Sequence, residues 1–101
     1  MLNGNRGVRT RVVVTGFGAV TPLGRTADEF WQGLVAGQSG IGPMTLCDPT
    51  DFPCRIAGEV KEFDPKDYVS GKEAKRLARF SQLGIAASGM AIENAALDLS
   101  K

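Results

Sequence analysis

The 101-residue sequence contains no histidine. Histidine is the commonest general base near neutral pH and the commonest metal ligand in proteins. Its absence excludes a Ser-His-Asp or Cys-His catalytic arrangement within this chain, and it excludes a histidine-based zinc site. If the chain belongs to an enzyme that uses such groups, those groups lie elsewhere.

Cysteine, net charge and long apolar runs are also scarce. The two cysteines, Cys47 and Cys54, match no usual zinc spacing, so we interpret them as reduced, unreactive thiols. A net charge of +1 creates no global field that would attract nucleic acid or an anionic membrane. No apolar run approaches the ~20 residues that span a bilayer. Residues 1–8 lack a signal-peptide core and are predicted to form a flexible tail, which favours a cytoplasmic protein.

The segment RVVVTGFGAVTPLG, residues 11–24, joins a β-branched run to a glycine-rich turn. A run without alternation predicts a strand that is buried on both faces. The turn resembles a phosphate cradle, but Thr21 stands where the third glycine of G-x-G-x-x-G belongs, and Pro22 lacks an N–H. We therefore interpret the glycines as a sharp turn beneath a packed helix.

Local signals predict most of the remaining elements. Thr26 and Glu29 form a capping box that opens a helix over residues 27–36, and Gly37 ends it. Residues 37–54 are expected to be an irregular connection with at most fragments of structure, residues 55–60 a short strand, and Asp64-Pro65 the start of a helical turn that runs through Tyr68.

Residues 72–79 are strongly helix-forming, and residues 80–99 are apolar or small nearly all round. Such a helix is typical of a fully buried position, where Gly84 and Gly89 would allow close packing. A domain of this length has little with which to bury a helix on every side. The sequence therefore looks like part of something larger.

Several stretches occur in one order with close spacing, namely VVVTGFGAVTPLG, FWQGLVAGQSGI, AGEVKEFDP and KEAKRLARFSQLGIAASGMAIENAAL. Together they resemble the opening of β-ketoacyl-[acyl-carrier-protein] synthases of type II, and the resemblance covers residues 9–101. It implies an α/β, thiolase-like fold with layered α-β-α-β-α architecture, of which this chain supplies only the opening portion.

The resemblance also implies an acyltransferase of fatty acid biosynthesis. That reaction is a decarboxylative Claisen condensation of acyl and malonyl groups carried by acyl carrier protein. The family uses one cysteine and two histidines, which match no residue here, so no catalytic residue is assigned and the chain alone is predicted to be inactive. No metal or cofactor is expected in this chain, because phosphopantetheine arrives on the carrier protein. A cytoplasmic homodimer is implied for the whole enzyme.

Four basic residues, Lys72, Lys75, Arg76 and Arg79, follow i, i+3, i+4 and i+7 spacing and are predicted to share one helical face. On pattern alone this is a solvated stripe. The resemblance implies instead a docking surface for the acidic acyl carrier protein, with Arg79 as the weaker member.

Two other interpretations stay open. A polyketide ketosynthase or a chain-length factor subunit would have a similar opening. A small non-enzymatic module could bind an acidic partner through the same basic helix. The residue at the nucleophile position, outside this chain, would separate the first of these from a fatty-acid enzyme.

Overall fold

The computed structural model describes Gly7 and residues 9–100. The elements, in chain order, are α1 (Ala27–Val35), β1 (Ile41–Pro43), β2 (Ile56–Gly58), a 3-10 turn (Pro65–Asp67), α2 (Gly71–Ala74) and α3 (Arg79–Ala95). The predicted flexible tail, residues 1–8, lies outside the described residues except for Gly7. No helix among the described residues is long and apolar enough to cross a membrane.

The start of α1 follows the predicted capping box, except that the Glu29 carboxylate binds the N–H of Arg25 instead of that of Thr26. The Thr26 hydroxyl accepts a hydrogen bond from the backbone N–H of Glu29 at 3.1 Å. The Glu29 carboxylate accepts from the N–H of Arg25 at 3.0 Å, one residue before the cap. Two backbone donors are thereby satisfied at the helix start, which confirms the predicted helix and its first residue.

The end of α1 is a left-handed glycine cap. Gly37 has φ +72, a conformation that glycine adopts without the Cβ clash of other residues. Its N–H donates to Leu34 at 3.0 Å, and the N–H of Gln38 donates to Gly33 at 3.0 Å. These two bonds form a Schellman motif, so the helix ends where the glycine predicts.

The two short strands form an antiparallel pair. Ile41 lies opposite Gly58, and Pro43 lies opposite Ile56. The strand β2 confirms the prediction for residues 55–60. Residues 37–54 are irregular apart from the three-residue β1, which agrees with the prediction of an irregular connection with at most fragments of structure. This strand forms only through its partner across the connecting loop.

The turn after β2 follows its local sequence. The Asp64 carboxylate accepts a hydrogen bond from the N–H of Lys66 at 2.9 Å, and Pro65 occupies the first helical position. Proline is favoured there because its fixed φ suits a helix start and no donor is lost. The predicted turn through Tyr68 is confirmed as a 3-10 turn.

Residues 11–15 are not a strand in the described structure. Val12 is 89% exposed and Val14 is 85% exposed, so the expected burial on both faces is also wrong for this chain. A strand exists through the hydrogen bonds of its neighbours, and none of the described residues pairs with this segment. Its apolar side chains remain uncovered for the same reason.

The long helix α3 forms as predicted but is not buried on all sides. Ala86 is 1% exposed, whereas Phe80 is 78% exposed. A β-carbon added at Gly84 or Gly89 would meet no described atom within 4 Å, so the predicted close packing at these glycines is not formed here. The helix ends at Ala95, four residues before the predicted end at Leu99, because its C-cap Ala96 adopts a left-handed conformation with φ 54.

The core of the described residues is small. Its buried apolar side chains are those of Phe63, Ala74 and Ala86. The radius of gyration is 18.4 Å, against about 13 Å for a compact domain of 100 residues. This open arrangement agrees with the expectation that the segment is part of something larger.

Candidate functional site

The glycine-rich turn is closed by its own threonine. The Thr21 hydroxyl accepts from the N–H of Leu23 at 3.2 Å and of Gly24 at 3.1 Å, and it donates to the Gly24 carbonyl at 3.0 Å. A phosphate cradle needs free backbone N–H groups. Because the Thr21 hydroxyl already binds the N–H groups of Leu23 and Gly24, these two donors are not free to bind a phosphate.

The glycines of the turn instead allow close approach to α3. A β-carbon on Gly16 would lie 2.6 Å from both the Ala91 carbonyl oxygen and the Ala95 Cβ. A β-carbon on Gly18 would come still closer to the Ala87 carbonyl oxygen. Between them, the N–H of Phe17 donates to the Asn94 side chain at 3.2 Å. The turn therefore lies against a small-residue face of α3, which confirms the predicted packing beneath a helix.

The four basic residues do not lie on one continuous helix. The helix α2 ends at Ala74, and α3 begins only at Arg79. Between them Ala78 is extended, with φ −68 and ψ 157. The prediction of a single helical face over residues 72–79 is wrong, because this residue leaves the helical conformation.

All four basic residues are exposed. We call the three that lie in α2 or directly after it, Lys72, Lys75 and Arg76, the basic corner. Lys72 lies in α2, and Lys75 caps it in a helical conformation with φ −68 and ψ −22. Arg76 follows directly, and its N–H donates to the Glu73 carbonyl at 2.9 Å. The short helix is opened by Ser70, whose hydroxyl accepts from the Glu73 N–H at 3.1 Å.

Arg79, the fourth basic residue, is also exposed, but its guanidinium contacts the segment after β2. Its guanidinium donates to the Val60 carbonyl at 2.8 Å and lies 4.9 Å from the centre of the Phe63 ring. Phe63 stacks in turn on Tyr68, with ring centres 5.5 Å apart. These contacts anchor the start of α3 to the segment after β2, which gives Arg79 a structural role that its spacing did not reveal.

Sequence inspection missed Gln82, the residue that bridges the break between the helices. Its side-chain nitrogen donates to the Ala74 carbonyl at 2.9 Å and to the Leu77 carbonyl at 3.3 Å. The one available signal was a polar residue among the apolar and small residues that follow Phe80. That signal does not identify the two acceptors, which lie five and eight positions earlier.

Glu59 was also missed. Its carboxylate accepts from the N–H of Leu46 at 2.8 Å and from the N–H and hydroxyl of Thr45 at 3.0 and 2.9 Å. The Leu46 bond is the largest cause that lowers the pKa of Glu59 below its usual value, and the Thr45 bonds add to it. The carboxylate therefore holds the chain after β1 against the chain after β2.

The two cysteines lie exposed in the connection, and the Cys54 thiol contacts the Ile56 carbonyl at 3.5 Å. Across the residues that the structure describes, no three acidic, cysteine or histidine side chains gather as a metal site. A cleft between the Thr21 turn and the strand pair is lined by charges of both signs, among them Arg25 and Glu59. None of these places assembles a nucleophile with a base.

Comparison with known proteins identifies the kind of molecule to which such a segment is similar. Residues 9–101 match the family model described as "Beta-ketoacyl synthase, N-terminal domain". A 3-oxoacyl-[acyl-carrier-protein] synthase 2 from Synechocystis is 48% identical over 93 residues, which cover 92% of this chain and 22% of that protein. Proteins of the same name from Vibrio cholerae and Staphylococcus aureus are 44% and 37% identical, over 92% and 90% of this chain and 22% of each relative. The chain spans about a fifth of the length of these relatives.

Two solved structures are similar in fold. The ishigamide ketosynthase/chain length factor matches with a TM-score of 0.82 and 35% identity, over 92% of this chain and 23% of the other. The complex AntDE:AntF, a type II polyketide acyl-carrier protein with its ketosynthase, matches with a TM-score of 0.68 and 27% identity, over 93% and 24%. The open shape of the segment is therefore close to that of a matching part of much longer chains.

Proposed function

Because the chain belongs to the β-ketoacyl synthase family, in its N-terminal domain, we propose that it is the opening segment of a 3-oxoacyl-[acyl-carrier-protein] synthase of type II. The observation that carries the proposal is the identity of 37–48% to proteins of that name over nearly the whole segment. The whole enzyme would then be an acyltransferase of fatty acid chain elongation.

In that reaction an acyl group passes from its carrier protein to an enzyme cysteine, forming a thioester. Malonyl-carrier protein loses carbon dioxide, and the electron pair left on carbon attacks the thioester carbonyl. A carbon–carbon bond forms, and the cysteine thiolate leaves. The product is a 3-oxoacyl chain two carbons longer. The nucleophile and the donors that stabilise the oxyanion would come from outside this segment, which contains no histidine.

The proposed fold of the whole enzyme is thiolase-like, with two sheets layered between helices. Two uncovered features support it. Residues 11–15 keep their valines exposed although they are β-branched and continuous, and α3 leaves Phe80 and Ile85 open to solvent. A layered fold would supply a neighbouring strand to the first and a packing partner to the second.

The function proposed for the segment itself is to dock the acyl carrier protein on the basic corner. Lys72, Lys75 and Arg76 are exposed and close in sequence, so their charges act together on an acidic partner. Arg79 is retained as a weaker member. Phosphopantetheine would arrive on the carrier protein, so the segment needs no cofactor of its own. A ketosynthase bound to an acyl-carrier protein among the similar structures supports this partner class.

The test reverses the charge of the basic corner in the whole enzyme. Lys75→Glu with Arg76→Glu is expected to raise KM for acyl-carrier-protein substrates about tenfold, equivalent to about 1.4 kcal/mol. KM for an acyl-CoA analogue should stay nearly unchanged, because that substrate lacks the acidic protein. Lys61→Glu with Lys66→Glu is the charge-matched control. Equal losses with both substrates would show that the corner does not dock the carrier protein.

A polyketide ketosynthase or chain-length factor remains the second candidate, favoured by the two similar structures. Incubation of the whole protein with a carrier protein that bears an acyl thioester, followed by mass spectrometry of the protein, separates a ketosynthase from a chain-length factor. A condensing enzyme retains an acyl group on cysteine, whereas a subunit without the nucleophile retains none. With malonyl-carrier protein added and no reductase present, one two-carbon extension indicates a fatty-acid enzyme, whereas repeated extension of the unreduced 3-oxo chain indicates a polyketide enzyme.

The whole enzyme is further proposed to be a cytoplasmic homodimer. Residues 9–100 leave large apolar side chains such as Trp31 and Phe80 open to solvent, and a subunit interface would be one way to cover such surface. Sedimentation equilibrium of the whole enzyme tests the dimer, and a monomer at micromolar concentration would contradict it.

A further inference from the structure

At the break between α2 and α3, the side chain of Gln82 donates hydrogen bonds to carbonyls that a continuous helix would pair with backbone N–H groups. In a continuous helix the carbonyl of Ala74 would accept from the N–H of Ala78, four residues later. Ala78 is extended, and that bond is not formed. The Gln82 nitrogen donates instead to the Ala74 carbonyl at 2.9 Å and to the Leu77 carbonyl at 3.3 Å.

The orientation of this amide follows from its partners. Both are carbonyl oxygens, which can only accept, so the nitrogen of the amide must face them. One half-buried side chain on α3 thereby ties down the end of α2 and the linker after it. The Ala74 carbonyl also accepts the N–H of Leu77 at 3.4 Å, so loss of the amide would leave it with that one long bond. The part-buried Leu77 carbonyl would lose the Gln82 donor altogether, which would be unfavourable.

The helix α2, whose end is bound by Gln82, is too short to be stable on its own. The helix α2 has four residues, and isolated helices of that length are unstable in water because nucleation is unfavourable. Its other supports are the Ser70 cap and the 8% exposed Ala74, which packs into the small core. The basic corner is built on this helix and on the linker that Gln82 fixes.

We infer that Gln82 is a positioning residue for carrier-protein docking, because its amide holds Lys72, Lys75 and Arg76 in one arrangement relative to α3. The inference rests on the docking role proposed above. Without the amide, the corner would sample several conformations, and docking would have to order it at the cost of binding free energy. The charges themselves would be unchanged.

The experiment compares Gln82→Met in the whole enzyme with Gln32→Met, an exposed glutamine of α1. Methionine keeps the length of the side chain and removes the donor. Q82M is expected to raise KM for acyl-carrier protein roughly threefold to tenfold, with kcat and the acyl-CoA kinetics unchanged. Hydrogen exchange of the amides of residues 75–78 should become faster. Q32M should change none of these quantities.

A double-mutant cycle separates positioning from general structural damage. In the Lys75→Glu, Arg76→Glu background the corner is already disabled, so Q82M should add no further increase in KM. An additional increase of the same size there, or a loss of kcat with acyl-CoA, would overturn the positioning role.

The failure of this inference differs from failure of the docking proposal. If charge reversal leaves KM for acyl-carrier protein unchanged, docking at the basic corner is wrong. If charge reversal raises KM and Q82M does not, only the role of Gln82 is wrong. Should Q82M fail to fold, Gln82→Asn keeps an amide that is one carbon too short, and a wild-type KM for that variant overturns the role.

Discussion

Gly16 lies so close to α3 that a β-carbon on it would come within 2.6 Å of the Ala91 carbonyl oxygen. Real β-carbons do not approach backbone that closely, so the turn and the helix contact each other through their main chains. The first glycine of a turn that resembles a nucleotide site thus serves packing between residues 75 positions apart.

Gly16→Ala should therefore destabilise the protein. The added methyl group would force the turn away from Ala91 and Ala95, an overpacking that typically costs about 1–3 kcal/mol. Urea unfolding of the whole enzyme measures the change. Gly42→Ala is the control, because a β-carbon there meets no described atom within 4 Å. Equal, small effects at both positions would contradict the close contact.

Arg79 should matter more for stability than for docking. Arg79→Met removes the bond to Val60 and the contact with Phe63, and we expect a loss of about 1 kcal/mol in the free energy of unfolding. Lys75→Met should cost little stability, and it should raise KM for acyl-carrier protein more than Arg79→Met does. If R79M raises KM for acyl-carrier protein as much as K75M does, without a loss of stability, the main role of Arg79 is docking and not structural support.

The carboxylate of Glu59 should make the loop that it holds sensitive to acid. Hydrogen bonds, that from Leu46 foremost, lower its pKa in the folded state. A group with a depressed pKa stabilises the fold above its unfolded pKa, and this contribution is lost as the pH falls through the lower folded value. NMR titration of the Glu59 carboxyl should give a pKa below the usual value for glutamate.

The matched variant for this prediction is Glu59→Gln, which keeps the shape and removes the charge. The N–H of Leu46 should be less protected from hydrogen exchange in this variant at pH 7, and the stability difference from wild type should shrink as the solution is acidified toward pH 3. A difference that stays constant over that range would show that the charge is not what holds the loop.

The isolated 101-residue chain should behave as an incomplete unit. Large apolar side chains remain uncovered, among them Val12, Trp31 and Phe80, and the core contains few residues. We expect it to bind a hydrophobic dye and to unfold without a sharp transition, whereas the whole enzyme should do neither. Cooperative unfolding of the chain without dye binding would show that it is an independent domain.

The proposed docking surface was only partly predictable from the sequence. The spacing of the basic residues selects Lys72, Lys75 and Arg76, which the structure leaves exposed together. The same spacing groups Arg79 with them, although its guanidinium binds the Val60 carbonyl 19 residues earlier. Helical periodicity assumes a continuous helix, and it cannot show that Ala78 is extended or that Gln82 bridges the gap.

The sequence by itself determined the elements whose signals are local. Thr26 with Glu29, Gly37, and Asp64 with Pro65 each act on backbone within about four residues, so their caps form where the sequence places them. Tertiary structure alone decided the pairing of β1 with β2, the contact of Gly16 with α3 and the absence of a strand over residues 11–15. These features depend on partners far along the chain, and a local pattern contains no information about whether such a partner is in reach.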